Sequence, residues 1–432
     1  MDPTPNPRKP YTTYGGGQPP RRRRRRRRGG LILFVLLVVL VAAAAATAIV
    51  VLKPFGDGDV SAGEPQPLAA QTENPSTMPS PSPTKTTPPE PAAVTVTSGG
   101  DVIGGFGVSG VVASMGSGLF KSIASYFERS DFGFVNLESP LTSGGDAQGW
   151  KDVVIKGNPA LAPAMAKSGI NIVTMANNHA GDMGDSGLLD SIKYCEKNDI
   201  AVVGVGRNLK EAQAGVVLKT HGDASADASA DGTTRGAKTA FLGFSDVLPV
   251  GYPATSTSPG TSPGRANLNA VKRNIRAAAE KADYVVVGWH WNFEYKRAPS
   301  YLESSEGKAA IDAGADLVIA HHPHLLDGVQ AYHGGLIVYS LGNLVFSGFS
   351  GETAQTVLVK AKVTPRSIDA QLIPVITSGS GVPTLAGGST GLSILQRVKS
   401  MSAALGTTVT IKGNRGYVHV QRKPKELSLI HI

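Results

Sequence analysis

The chain has 432 residues, a net charge of +9 and one cysteine. Residues 1–53 hold eleven Arg and Lys against one Asp, so the remainder is near neutral and no nucleic-acid surface is implied. A single cysteine excludes an intramolecular disulfide and a thiolate metal cluster.

Residues 1–30, with Pro, Gly and the run Arg21–Arg28, read as a disordered basic cytoplasmic tail. Leu31–Leu52 is an almost purely apolar run of 22 residues and predicts one transmembrane helix. At about 1.5 Å per residue it spans roughly 33 Å. The arginines keep the N-terminus cytoplasmic and place the C-terminal part outside the cell membrane. A cleaved signal peptide is the competing reading, because Ala42–Ala46 offers small residues. The run is longer than a signal core, which favours a single-pass anchor. Residues 53–93 are rich in Pro, Ser and Thr and read as an extended linker.

From Val94 short apolar runs alternate with amphipathic segments, which predicts an α/β layered domain over 94–350 that continues through 351–425. Strands are expected at 94–97, 132–137, 170–175, 201–204, 216–219, 239–244, 283–288, 316–320, 336–340, 354–363 and 368–375. Helices are expected at 117–129, 160–168, 185–197, 267–282, 303–313 and 390–405. Cys195 shares a helical face with Leu188, Leu189 and Ile192 and reads as a core residue. The "GDASADASADG" stretch and the Pro/Ser/Thr/Gly-rich 251–265 read as mobile surface insertions. The final "KELSLIHI" carries no pattern.

Five strands end in polar residues: Asp101; Asn136 and Glu138; Asn177, Asn178 and His179; His290; His321, His322 and His324. Ligands of open α/β sheets collect at strand C-terminal ends. Carboxylate, carboxamide and imidazole together suit Mn, Zn, Fe or Mg, as one ion or two. Each residue alone has a plainer reading. Asp101 can shape a turn, Glu138 can be a solvated charge, and the asparagines can cap a helix. Asp182, with Gly184 and Gly187, reads as an N-cap rather than a ligand. In His322-Pro323-His324 the proline stiffens the backbone between two imidazoles, which favours metal binding.

The segments "GGDV" at 99–102, "NLESPLT" at 136–142, "ANNHAGDMGDSGLLDSI" at 176–192, "WHWNFEY" at 289–295, "AHHPH" at 320–324 and "YSLGNLVF" at 339–346 resemble, in order and spacing, the motif set of the capsule-synthesis CapA family. That family is linked to poly-γ-glutamate synthesis and is similar to calcineurin-like metallophosphoesterases. The resemblance implies a four-layer α-β-β-α sandwich of metallophosphoesterase type. It implies Asp101, Glu138, Asn178, His179, His290, His322 and His324 as metal ligands. It gives catalytic or orienting roles to His179, His290, Asn177 and Glu294, and supporting roles to Tyr339, Ser340 and Asn343. Asn292, Ala320 and Leu344 depart from the family pattern, and the arginine after the first aspartate is missing. The implied activity is that of a metal-dependent hydrolase or transferase, phosphoesterase-like or acting on a γ-glutamyl amide. Its substrate would be an anionic envelope polymer, with membrane synthase or export partners. A non-catalytic factor for polymer binding, assembly or export is the alternative.

Overall fold

The computed structural model describes residues 89–149, 151–220, 234–248 and 252–423. The basic tail, the apolar run 31–52, nearly all of the linker, the "GDASADASADG" stretch and the last residues lie outside the described residues. Among the described residues no helix is long and apolar enough to cross a membrane.

Two sheets face one another. Sheet A has ten strands. Its parallel part is β1 (Val94–Val102), β2 (Phe132–Leu137), β3 (Ile172–Thr174) and β4 (Ala201–Val203). Sheet B has six strands. It contains β5 (Val216–Lys219), β6 (Lys238–Ser245), β7 (Tyr284–His290), β8 (Leu317–His321), β9 (Val329–Tyr332) and β10 (Gly335–Val338). Sheet A continues with β11 (Asn343–Val345), which runs parallel to β1. Two long antiparallel strands follow, β12 (Gln355–Val363) and β13 (Ser367–Thr377). The short strands β14 (Pro383–Leu385) and β15 (Thr410–Lys412), with β16 (Arg415–Gln421), complete it.

Side chains on a strand alternate between faces, and here the alternation separates three cores. Phe132 and Phe134 of β2, Tyr284 and Val286 of β7, and Leu317 and Ile319 of β8 meet between the sheets. Val135 and Leu137 face outward under helices α1 (Phe106–Met115) and α2 (Gly184–Glu196). Val285, Val287 and Val318 face outward on the other side, under α3 (Leu268–Ala279) and α4 (Tyr301–Asp312). The layers are therefore helix, sheet, sheet, helix, which is the expected α/β architecture. Helix α5 (Gly388–Ala404) adds Ile394, Leu395 and Val398 to the core between the sheets. Cys195 is buried as expected, and burial pushes its thiol up to about 12.

Two expectations are corrected, and one helix is new. The stretch 117–129 is a 3-10 turn, Gly116–Phe120, followed by a short helix, Ala124–Glu128. Residues 106–115, with Gly107 and Gly110, lack a strong helix signal, yet they form α1 because Val108 and Val112 bury one turn apart. The described part of 251–265 is tied down rather than loose. Tyr252, Thr261 and Ser262 are buried, Gly260–Thr261 pairs with Val205–Gly206, and Ser262 N–H donates to Gly204 at 2.9 Å. Backbone pairing outweighed its loop-like composition.

The two glycines before Asp101 do not end β1. The strand runs through them, and its ladder with β2 shifts register between Ser98 and Asp101. Asp101 N–H donates to Gly342 O at 2.9 Å. A Cβ on Gly100 would stand 1.9 Å from that same oxygen. Gly100→Ala is therefore expected to destabilise the chain by about 3 kcal/mol, the upper end of ordinary overpacking. Chemical denaturation measures this; an unchanged midpoint contradicts the close approach.

Candidate metal centre

The same alternation that builds the inner core builds the site. Continuing each inward face gives Asn136 on β2, His290 (past Gly288) on β7 and His321 on β8. All three lie where the apolar filling stops. Cross-strand register then sets neighbours: Asp101 lies beside both Asn136 and Asn343, and His290 beside His321. The Phe134 and His321 rings are 6.4 Å apart, so the site rests directly on the core.

Asp101 and Glu138 are fully buried. Asn136 Nδ2 donates to Asp101 Oδ1 at 2.9 Å and lies 3.4 Å from both Glu138 Oε2 and His290 Nδ1. His290 Nε2 lies 2.8 Å from Asn178 Oδ1. Amide oxygens accept only, so Nε2 carries the proton in that contact. His324 Nδ1 lies 2.8 Å from Asn343 Oδ1 and 3.4 Å from Asp101 Oδ2. His322 and His324 adopt left-handed backbones, with φ of 97° and 54°. Such conformations cost about 1–3 kcal/mol each and persist where the surroundings force them.

Two groups of three could hold an ion: Glu138, His290 and His322; and Asp101, Glu138 and His324. Within each group the ligand atoms lie within 4.8 Å of one another, and Glu138 belongs to both. Asp101 Oδ2, Glu138 Oε1 and His322 Nδ1 are buried without a hydrogen-bond partner among the described residues. His321 Nδ1 is 3.2 Å from Asp101 Oδ1, an ion-pair distance, yet it lacks hydrogen-bond geometry. Orphaned carboxylate oxygens and imidazole nitrogens facing one another are what a divalent cation would satisfy. The residues fit the expected metal.

The electrostatics point the same way. Burial would raise the Asp101 carboxyl, but the adjoining His321 and His324 imidazoles hold it well below its ordinary value. Burial, then the Asp101 and Glu294 charges, push Glu138 well above. Burial and the neighbouring His322 push His290 well below. Burial and His324 bring His322 down to about 3. Burial opposes charge on His324, but contacts with Asp101 raise its pKa overall. Neutral imidazoles are metal-ready, and an added positive charge would relieve the protonation of Glu138.

His179 stands in neither ligand group. Its Nδ1 lies 2.7 Å from Asp182 Oδ2. Asp182 is fully buried and caps nothing: the N-cap of α2 is Met183, with no side-chain bond. This corrects the capping expectation: the carboxylate's acceptor sites are taken up by His179, Lys151, the Ile155 N–H and the Tyr252 hydroxyl. Lys151 Nζ also donates to Asn178 O at 2.7 Å and lies 3.2 Å from His179 Nδ1. Burial pushes the His179 imidazole down.

Asn177 Nδ2 donates to Asn136 Oδ1 at 3.0 Å and to Leu137 O at 2.8 Å, so it orients the neighbour of both carboxylates. Glu294 is exposed and reaches Glu138 and His324 through charge alone. Tyr339 lies outside the centre, stacked on Trp291 with its hydroxyl donating to Gln330 at 2.7 Å. Ser340 accepts from Gly342 N–H at 3.2 Å and acts only through the segment that holds Asp101. The sequence reading passed over Lys151, which sits in a stretch without period. It names His321 among the strand-end residues but gives it no role, although its inward position follows from strand alternation.

The family described as "Bacterial capsule synthesis protein PGA_cap" matches residues 95–348. The chain belongs to that family. Similar proteins are "Capsule biosynthesis protein CapA" of Bacillus anthracis, 31% identical over 62% of this chain and 63% of that protein, and "PGA biosynthesis protein CapA" of Bacillus subtilis, 31% identical over 60% and 65%. A "probable polyglutamine synthesis accessory protein" of Mycobacterium tuberculosis is 26% identical over 51% and 58%. The chain thus spans somewhat less than two thirds of the length of these relatives. The PGA_cap region contains every residue of the metal centre described above.

Proposed function

We propose that this PGA_cap chain is a membrane-anchored, extracytoplasmic protein of capsule or cell-envelope polymer synthesis, acting as a metal-dependent hydrolase or transferase of metallophosphoesterase type. The observation that carries the reading is the set of orphaned buried ligand atoms beside a second buried cluster, His179, Asp182 and Lys151. The apolar run Leu31–Leu52 supports the anchor, and the names of the relatives support an anionic polymer such as poly-γ-glutamate. Synthase or export proteins at the membrane are the partners this reading implies.

Asp101, Glu138, His290, His322 and His324 would hold the divalent ion, which supplies Lewis-acid polarisation of a phosphoester or a γ-glutamyl amide. The chain's own residues do the rest. Asp182 can only accept, so His179 keeps its proton on Nδ1 and leaves Nε2 to take or give a proton. Lys151 fixes Asp182 and the Asn178 carbonyl together, which holds the imidazole in place beside Asn178. Asn177 and Asn136 lock the carboxylates by hydrogen bonds.

The test is a phosphodiesterase and γ-glutamyl hydrolase panel on the metal-loaded chain, with His179→Ala and His322→Ala. His179→Ala is expected to lower turnover about 10²–10⁴-fold, the usual range for a lost acid–base group, and His322→Ala to lower it through weakened metal binding. Full activity in both variants would contradict the proposal. Metal loading without turnover, with polymer still bound, would favour the assembly role instead.

A further inference from the structure

Away from the metal centre, a cavity of about 360 Å³ opens on the outer side of sheet B, over β5 and β6. It lies between the helix Leu209–Ala214 and α3. Gln213 and Lys210 line it from the first helix; Asn274 lies on α3, and Lys281 just beyond its end. The floor includes Val217 and Leu242. No carboxylate lines it among the described residues.

Gln213 Nε2 and Asn274 Nδ2 are buried, and neither has a hydrogen-bond partner among the described residues. Buried donors without acceptors are uncommon in folded proteins and call for a specific explanation. Here two residues on different helices, each with such a donor, line the same cavity. Two ammonium groups accompany them, so every charged group in the lining is positive. The complementary ligand accepts hydrogen bonds, carries negative charge and has a short apolar stem.

We propose that this cavity binds a small organic carboxylate. Its oxygens accept from the Gln213 and Asn274 amides, its charge faces Lys210 and Lys281, and its methylene groups rest on Val217 and Leu242. The volume is within the range of ordinary ligand pockets and exceeds a bare carboxylate. The same chemistry could come from a free dicarboxylic acid or from the end of a carboxylate-bearing chain. The inference does not depend on the metal centre.

The experiment is calorimetric titration of the chelator-treated full chain with glutarate, tri-γ-glutamate, the neutral glutaramide and inorganic phosphate. Glutarate or tri-γ-glutamate is expected to bind at least about ten-fold more tightly than glutaramide, a difference of about 1.4 kcal/mol. Lys210→Ala with Lys281→Ala, both at exposed positions, should weaken that binding to a similar extent. Asn274→Leu should also weaken it, whereas His322→Ala should leave it unchanged. The tighter of the two acids identifies the source. The proposal is overturned if neither acid binds, or if binding survives Asn274→Leu. It is equally overturned if phosphate matches the acids and responds to the lysines alone, which marks only a charged surface.

Discussion

Asp182→Ala is expected to cost the folded chain about 3–5 kcal/mol, the usual penalty for removing one partner of a buried ion pair. The carboxylate is fully buried, and the Lys151 side chain is only 11% exposed. Removing Asp182 leaves that ammonium with the Asn178 carbonyl as its remaining close oxygen partner, at 2.7 Å. It also deprives the Ile155 N–H of its acceptor, at 2.8 Å. Asp182→Asn keeps the shape and removes the charge, so a smaller loss is expected. Urea denaturation reads both values. His179→Ala supplies the contrast: it removes the proton-transfer group while leaving the Lys151–Asp182 pair intact. A fold as stable in Asp182→Ala as in the parent would show that the three residues do not form one unit.

Glu138→Gln is expected to have opposite effects with and without metal. In the metal-free chain, burial and the charges of Asp101 and Glu294 raise the Glu138 carboxyl well above its reference of 4.5. The folded chain then holds a proton that the unfolded chain has released. Stability from this group is therefore fully present below the unfolded pKa and declines as pH rises towards the folded one. Gln removes that cost, so the metal-free variant should melt higher than the metal-free parent at pH 7. Metal reverses the order. At a concentration a hundred times its dissociation constant, an ion stabilises a folded chain by about 2.7 kcal/mol. The parent should gain that amount and the variant very little, because Glu138 belongs to both ligand groups. Thermal melts with and without Mn or Zn measure the crossover; equal metal gains in both proteins would contradict it.

Much of the centre was legible because strand alternation and strand ends are local signals. Asp101, Glu138, His290, His322 and His324 all lie at ends that periodicity could mark, and the fold brings them together. His321 was legible by the same parity, since it continues the inward face of Leu317 and Ile319. Lys151 was not, because its role depends on an irregular segment meeting a helix start 31 residues later. Asp182 was misread for a related reason: a carboxylate before a helix looks like a cap unless its tertiary partners are known. Tyr252 was hidden in a stretch whose composition suggests a loop, yet its backbone carbonyl accepts from Thr261 N–H at 2.8 Å. Tyr339 lies just past the end of β10 and packs into the outer core against Trp291. Long-range pairing, rather than composition, decided each of these cases.

Metal content of the purified full chain, prepared without chelator and measured by elemental analysis, tests the central claim most directly. The account predicts one or two divalent ions per chain, with little or none in Glu138→Gln. A folded parent that stays metal-free in the presence of excess Mn, Zn, Fe and Mg would contradict it.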